Sequence, residues 1–335
     1  MDDLRLALPS KGELEEDTIR LMAACGLRVD RTNPRQYTAR VPAAPDVKVL
    51  FQRAADILAK VEEGSADLGI TGLDIVRENA PEDGDVVVIM ELGYGRCELV
   101  LAVPESWIDV TSLSDLADVA AGFKARGREL RVVTKFPNLT RQFLYRAGIT
   151  YFSIVEAHGA LEVAPSMGYA DIIADLTSSG TTLRDNRLKR LAGGSILSSQ
   201  ACLIGNRRLL AASEAKLQTT KSMIELIEAH QRAGDYLKVT ANIQGQSAEA
   251  VARLVMRIPE LAGLQGPSVG QVFAKDRAME GWWSVTVVVR KDLLLRAVEH
   301  LRRSGASDVT VSPLSYVFEA KSWHYQSLLE KIRGR

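Results

Sequence analysis

The chain has 335 residues, room for two or three domains, with 46% hydrophobic and 25% charged residues, the balance of an ordinary globular protein. Lys plus Arg and Asp plus Glu both number 42, so the formal net charge is zero; no bulk field draws the molecule to nucleic acid or an anionic membrane, while a local anion site stays open. The three cysteines, Cys25, Cys97 and Cys202, are far apart in apolar surroundings without metal-ligand spacing, which predicts buried reduced thiols. No apolar stretch reaches the ~18 residues of a membrane span, and with no signal peptide evident before the first strand a cytoplasmic protein is expected.

The first ninety residues alternate between strand and helix. "LRLALP" reads as a strand, and "GELEEDTIRLMAACG" as a helix with Leu14, Thr18, Leu21, Met22 and Cys25 at helical spacing and Gly26 at its end. "VKVLF" (strand), "RAADILAKVEEG" (helix), "ADLGI" (strand), "LDIVREN" (helix) and "DVVVIMEL" (strand) follow. This alternation predicts a mainly parallel sheet with helices on both faces. A second such run begins at "ELVLAV". It continues through the helix "SLSDLADVAAGF", capped by Ser112 or Ser114, the strand "ELRVVT", the helix "NLTRQFLYRAG" and the strand "TYFSIVEA". "SILSSQACLIGN" returns as a strand, and the pattern to about residue 208 predicts two similar lobes. From 213 the texture changes. One long helix leads into "YLKVTANI", "SAEAVARLVMRI", "PSVGQVFA", "WWSVTVVVR", "DLLLRAVEHLRRSG" and "DVTVSPL". That order, β-α-β-β-α-β, is ferredoxin-like. A short amphipathic tail, "KSWHYQSLLEKI", closes the chain.

One stretch carries chemistry: "DIIADLTSSGTTLRDN". Small residues let a backbone approach a ligand, successive turn N–H groups cradle an anion, and a helix starting near Thr181 adds its N-terminus. Hydroxyls of Ser178, Ser179, Thr181 and Thr182 add donors. A phosphate suits this loop, but carboxylates repel one. They make sense if the ligand also carries vicinal hydroxyls, as a ribose 5-phosphate does. The same residues also suit a plain helix cap and a Gly-Thr turn, and the stretch alone does not choose. It is neither a Walker A loop nor a dinucleotide G-x-G-x-x-G.

The acid-acid, Ser/Thr-Gly pattern resembles the 5-phosphoribosyl 1-diphosphate (PRPP) loop of phosphoribosyltransferases. Together with "LALPSKGELEEDTIRLMAACG", "ADLGITGLDIV", "VVTKFPNLTRQFL", "GALEVAPSMGYADIIADLTSSGTTL" and "SQACLIGN", it resembles the ATP phosphoribosyltransferase family over residues 4 to 206, and the C-terminal segment fits that family's long form. The resemblance implies transfer of the phosphoribosyl group of PRPP to N1 of ATP with release of pyrophosphate, the first step of histidine biosynthesis. It implies Asp175 and Glu162 on the ribose hydroxyls, and Ser178, Ser179, Gly180, Thr181 and Thr182 around the 5-phosphate. Lys11, Gly72, Asp74, Arg96 and Phe136 would meet ATP, with Lys135 or Arg141 near a phosphate. Phe136 could equally be core, Gly72–Asp74 a capped turn, and Asp171 a structural partner. Mg²⁺ would be held mainly by substrate, without a dedicated set of protein ligands.

No general base is required, because adenine N1 is already a neutral nucleophile; His158 beside Gly159 is read as structural. The expected fold is α/β: two periplasmic-binding-protein-like lobes and a C-terminal ferredoxin-like (ACT-like) regulatory domain. Lobe I takes 1–92 and 184–210, lobe II takes 93–183 with the PRPP loop, and 211–335 holds the linker helix, the regulatory domain and the tail. The resemblance further implies feedback inhibition by histidine, with Ser268 as a contact, and a homo-oligomer from dimer to hexamer. The match thins there: "TANIQG", with Gln244 and Gly245, and "SPLSYVFE" depart from the family pattern, and 321–335 is extra. Of Trp282 and Trp283, at strand alternation, one is expected inward and the other against a neighbouring subunit. Trp323, Tyr325, Leu328, Leu329 and Ile332 are expected to pack on a subunit. The rival reading is a non-catalytic two-lobed binding or sensor protein, against which Asp175 beside the loop is the discriminating feature.

Overall fold

The structure is a computed structural model and describes residues 3–31, 33, 36–81, 83–157, 161–273 and 281–334. It divides into two compact units, 1–220 with 324–335, and 221–323.

The first unit holds two sheets. Its chain begins β1 (Leu4–Pro9), α1 (Gly12–Ala24), β2 (Thr38–Val41), β3 (Ala44–Gln52), α2 (Ala54–Glu62), β4 (Leu68–Gly72), α3 (Leu73–Asn79) and β5 (Val86–Glu91). It continues β6 (Cys97–Pro104), α4 (Leu113–Ala125), β7 (Leu130–Thr134), α5 (Pro137–Arg146), β8 (Phe152–Glu156), β9 (Ile172–Thr177), α6 (Thr181–Asp185), β10 (Leu188–Ser199), β11 (Ala201–Asn206) and α7 (Arg207–Ala212). The first sheet has the order β2-β3-β1-β4-β11-β5 and the second β10-β6-β9-β7-β8. Setting β2 aside, the two match strand for strand: β3-β1-β4-β11-β5 against β8-β7-β9-β6-β10.

The expected similarity of the lobes is therefore visible in topology, but the sheets are mixed rather than mainly parallel. Only β3-β1-β4 and β9-β7-β8 run parallel; β11 and β6 enter against them. The reason is an exchange. β5 leads across to β6, and β10 leads back to β11, so each lobe's fourth strand arrives from the other lobe and points the opposite way. This also corrects the lobe boundary. Residues 188–199 pair with β6 and belong to the second sheet, and the return to the first lobe falls at Gln200 instead of at 184. "SILSSQACLIGN" is thus two strands of two sheets.

The lobes repeat one internal brace. Asp67, just before β4, accepts the Arg5 backbone N–H at 2.8 Å and pairs with its guanidinium at 2.9 Å. Asp171, just before β9, accepts the Arg131 backbone N–H at 2.9 Å and pairs with its guanidinium at 3.1 Å, and Arg128 joins it. Asp67 also faces the buried Lys216 ammonium at 3.1 Å. Burial alone would raise the Asp67 pKa, but the Arg5 and Lys216 hydrogen bonds outweigh it and hold the carboxyl below its ordinary value. Helix α4 starts on Ser112 with a full capping box, and backbone and hydroxyl donors of Thr111 and Ser112 hold Asp115 down to about 2. Cys25 and Cys202 are buried as expected, and burial pushes their thiols up to about 12, while Cys97 is half-buried.

The 20-residue helix α8 (Glu214–Ala233) leads into the second unit. There β12 (Tyr236–Gln244), α9 (Ala248–Val255), β13 (Ser268–Gln271), β14 (Trp282–Arg290), α10 (Leu294–Arg303) and β15 (Ala306–Pro313) form an antiparallel sheet of order β13-β14-β12-β15. This is the ferredoxin-like chain order. Alternation puts Val239, Ala241, Ile243, Val285, Val287 and Val289 inward with α9 and α10 residues. Trp283 joins that core and donates from Nε1 to the Gly245 carbonyl at 2.9 Å. The departure at Gly245 is thereby part of the packing, since a Cβ there would lie 2.4 Å from Val251. The tail is a full helix, α11 (Trp323–Arg333). Residues 324–335 group with the first unit of their own chain, where the Lys331 ammonium donates to the Val88 carbonyl at 2.7 Å. Tyr325 and Leu328 are buried within this chain, whereas Trp323 is exposed.

Candidate active site

Register places the candidate residues. In an α/β sheet, ligands gather at the carboxyl ends of parallel strands. In the first lobe those ends carry Lys11 after β1 and Gly72–Asp74 after β4; in the second they carry Lys135 after β7 and Asp175 to Thr182 at β9 and beyond. The two crossings join these edges. Gly72 is opposite Ala201, Glu98 is opposite Thr177, and Ser199 is opposite Cys97. The crossings are also stitched to each other, with Leu92 donating to the Ala201 carbonyl and Ala201 to the Tyr94 carbonyl, each at 2.9 Å. Tyr94 anchors to α1 through a 2.7 Å hydrogen bond with the Thr18 hydroxyl. Arg96 lies exposed on this seam.

The two aspartates of "DIIADLTSSGTTLRDN" separate completely. Asp171 is buried at the start of β9 within its arginine pair, so it is structural. Four residues further, about 13 Å along a strand, Asp175 is half-buried at the other end. It accepts the Leu176 N–H at 2.8 Å. Burial raises its pKa, with the Glu162 charge adding to the rise and the Leu176 N–H and the Lys135 ammonium opposing it. Glu162 comes from a short 3-10 turn, Leu161–Val163, whose Leu161 shares an apolar cluster with Ile173 and Leu183; that cluster fixes turn, strand and loop together.

The loop itself is pre-shaped. Gly180 has φ 73°, its N–H donates to the Thr177 hydroxyl at 2.9 Å, and α6 begins directly after it. Ser178, Ser179, Thr181 and Thr182 are exposed, with the Ser179 hydroxyl donating to that of Thr181 at 2.9 Å and Arg184 reaching Thr181 at 3.3 Å. The loop therefore offers hydroxyls and a cation on its open side.

On the first-lobe edge Lys11 is exposed at the start of α1. Gly72 precedes α3, and a Cβ there would sit 2.4 Å from Asp74 Oδ1. Asp74 is 7% exposed and already accepts the Ser199 hydroxyl at 2.6 Å, so it ties the lobes together at the crossing. Phe136 is 8% exposed at the start of α5, so it belongs to the interior and does not lie open to an adenine. His158 lies outside the described residues. Sequence reasoning missed Glu78, whose carboxylate reaches from α3 to α5. The missing cap of α5, an apolar Phe136 followed by Pro137, was the available signal.

A half-buried acid beside a hydroxyl-lined loop, at the seam of two α/β lobes, fits an enzyme that transfers a phosphoribosyl group. Comparison with known proteins agrees. The ATP phosphoribosyltransferase (HisG) family model matches residues 53–228, and the model of the HisG C-terminal domain matches 233–316. ATP phosphoribosyltransferase 2, chloroplastic, of Arabidopsis thaliana is 40% identical over 336 residues, covering 99% of this chain and 81% of that protein. The ATP phosphoribosyltransferase of Brucella melitensis is 47% identical over 233 residues, 68% of this chain and 97% of that protein. Among solved structures, the ATP phosphoribosyl transferase (HisG:HisZ) complex from Thermotoga maritima superposes with a TM-score of 0.51 at 25% identity, covering 67% of this chain and 96% of that one. The chain belongs to the ATP phosphoribosyltransferase family. It transfers the phosphoribosyl group of PRPP to N1 of ATP and releases pyrophosphate, the first step of histidine biosynthesis. The rival reading of a non-catalytic binder falls away. No helix among the described residues is long and apolar enough to cross a membrane.

Proposed function

We propose that the second lobe binds PRPP and the first binds ATP, with transfer across the seam. Asp175 carries this reading: a half-buried acid whose pKa is raised by its surroundings is costly to keep unless a ligand uses it. Asp175 and Glu162 take the ribose hydroxyls, and Ser178, Ser179, Gly180, Thr181 and Thr182 surround the 5-phosphate. Lys11, Gly72 and Arg96 line the ATP side, with Asp74 behind them. No group of three or more His, Cys, Asp or Glu placed to hold a metal occurs among the described residues. Mg²⁺ would be held mainly by substrate oxygens, with the hard oxygens of Asp175 and Glu162 available to it, and would neutralise the leaving pyrophosphate. The chain's own work is then positioning and charge: Lys135 and the loop hold the donor, and the first lobe presents adenine N1 to the anomeric carbon. The setting is a cytoplasmic one.

The second unit is proposed as an ACT-like histidine sensor that lowers turnover. Its sheet supports this. On the face away from the helices, Ser268, Thr286, Thr240 and Thr310 are opposite one another across all four strands, and the Thr240 and Thr286 hydroxyls are 3.0 Å apart. Histidine bound beside Ser268 would meet hydroxyls rather than apolar surface. The working form is proposed as a homo-oligomer, dimer to hexamer, readable by sedimentation.

The test is turnover with ATP, PRPP and Mg²⁺, following the N1-substituted adenine chromophore and pyrophosphate. Asp175→Ala should abolish turnover and PRPP binding while remaining folded. Ser268→Ala should keep turnover and lose histidine inhibition. An Asp175→Ala enzyme that binds PRPP with wild-type affinity would sink the site assignment, and a wild-type enzyme indifferent to histidine would sink the sensor.

A further inference from the structure

Helix α3 follows a first-lobe strand, yet both of its ends are fastened to the second lobe. At its start the Asp74 N–H donates to the Ser199 hydroxyl at 2.9 Å, next to Leu73, whose N–H continues the first-lobe ladder to the Gln200 carbonyl at 2.9 Å. Ser199 ends a strand of the second sheet. At its other end the Glu78 carboxylate accepts the backbone N–H groups of Asn138 at 2.7 Å and Leu139 at 2.9 Å, one on each oxygen, while the Asn138 side-chain amide donates to the Glu78 carbonyl at 3.2 Å.

Asn138 and Leu139 stand in the first turn of α5. The first N–H groups of a helix have no partner within it, and the residue just before a helix ordinarily supplies one from its side chain. Here that residue is Phe136, which has no acceptor, and Pro137 follows. The acceptor comes instead from the other lobe, some 60 residues earlier in the chain. A carboxylate is well suited to the electropositive end of a helix, and ionic hydrogen bonds are among the stronger ones. Glu78 is 7% exposed, so little water competes. An unfilled helix start would itself attract a phosphate. With Glu78 seated there, the α5 start is closed to substrate anions, and the anion work is left to Lys135 and the loop after β9.

We propose that Glu78 is a positioning residue for the transfer: by capping α5 from the opposite lobe it sets the angle at which the two substrate-bearing edges meet. Reacting groups delivered from two bodies are sensitive to that angle, since a displacement of about 1 Å costs roughly 100-fold in rate. The Glu78 carboxylate is taken up by the Asn138 and Leu139 N–H groups, so it acts through the lobe it holds.

The inference rests on the PRPP site proposed for the second lobe, and a two-part measurement separates them. Wild type, Glu78→Gln and Glu78→Ala are compared for urea stability, for binding of Mg·PRPP without ATP by calorimetry, and for kcat and KM of ATP. The PRPP contacts all lie within the second lobe, so PRPP affinity should stay within about twofold. The kcat should fall about tenfold or more in Glu78→Ala. Glu78→Gln should lie between, because its amide nitrogen turns a donor toward one of the two N–H groups. A folded Glu78→Ala enzyme with wild-type kcat overturns the proposal, as does a loss of PRPP affinity that tracks the loss of kcat. If Glu78→Ala does not fold, Glu78→Gln decides: lowered kcat with intact PRPP binding supports the role, and unchanged kcat refutes it. Failure of the PRPP site itself would show separately, as wild-type PRPP affinity in Asp175→Ala.

Discussion

Gly180→Ala offers a quantitative check on the loop. Gly180 sits at φ 73°, in the left-handed region, where a side chain costs about 1–2 kcal/mol. Nothing else opposes the substitution. A Cβ at this position would find its nearest neighbour, the Arg184 guanidinium, at an ordinary 4.0 Å. The penalty is therefore purely conformational, and it must appear somewhere. If the bond from the Gly180 N–H to the Thr177 hydroxyl holds the turn in place, unfolding in urea will show a loss of about 1–2 kcal/mol with PRPP affinity intact. If the free loop relaxes, stability will be normal and PRPP will bind more weakly, by roughly 5- to 30-fold for the same energy. The two losses should sum to about 1–2 kcal/mol, and Gly180→Asn should recover part of it, because Asn tolerates this conformation. Urea melts paired with Mg·PRPP calorimetry measure both. Wild-type stability together with wild-type affinity would refute the reasoning, and a combined loss well above this range would mean that sterics, not φ, governs the site.

Asp175→Asn should lose turnover yet make the unliganded protein more stable at neutral pH. Because the folded-state pKa of Asp175 is raised, its contribution to stability is fully present below the ordinary aspartate range and is lost as pH rises through the folded value. The margin of Asn over wild type in denaturation should accordingly widen with pH and then level; a margin that shrinks with rising pH contradicts it. Asp171→Ala should do the reverse, costing about 1–2 kcal/mol because the Arg131 N–H loses its acceptor, the ion pairs adding little since Arg128 and Arg131 both reach water, with kcat of the folded fraction unchanged. A large kcat effect would move Asp171 into the site. Asp67→Ala should cost about 3–5 kcal/mol, since the Lys216 side chain facing it is only 4% exposed; a shift of the urea midpoint no larger than that of Asp171→Ala would argue against this ranking.

Much of the fold was legible because helix and strand periods are local. Ser112 as a cap, the long helix α8 and the βαββαβ order all follow from neighbours in sequence. What escaped depended on partners. An apolar run such as "SILSSQACLIGN" shows that a segment is extended but says nothing about which sheet receives it, so the change of sheet at Gln200 could not be seen. The site was half legible for the same reason. The loop after Asp175 announces itself in small residues and hydroxyls, whereas Asp171 looks identical to Asp175 in sequence and differs only in which end of β9 it occupies. Phe136 has the composition of a base-stacking residue and the burial of a core one. Glu78 reads as an ordinary charge on a short helix until Asn138 is brought against it.

The repeated Arg–Asp brace has a bearing on how such an enzyme can diversify. In each lobe the acid at the amino end of the strand is already held by arginine from its own lobe, and Asp67 by Lys216 of α8 as well. The opposite rim of the same strand is then released from any duty to hold the lobe together. Beyond β4 that rim is a turn leading into α3, and beyond β9 it is a hydroxyl-lined loop. One strand plan thus carries two different rims where the lobes meet, and ligand chemistry can differ there without disturbing either brace.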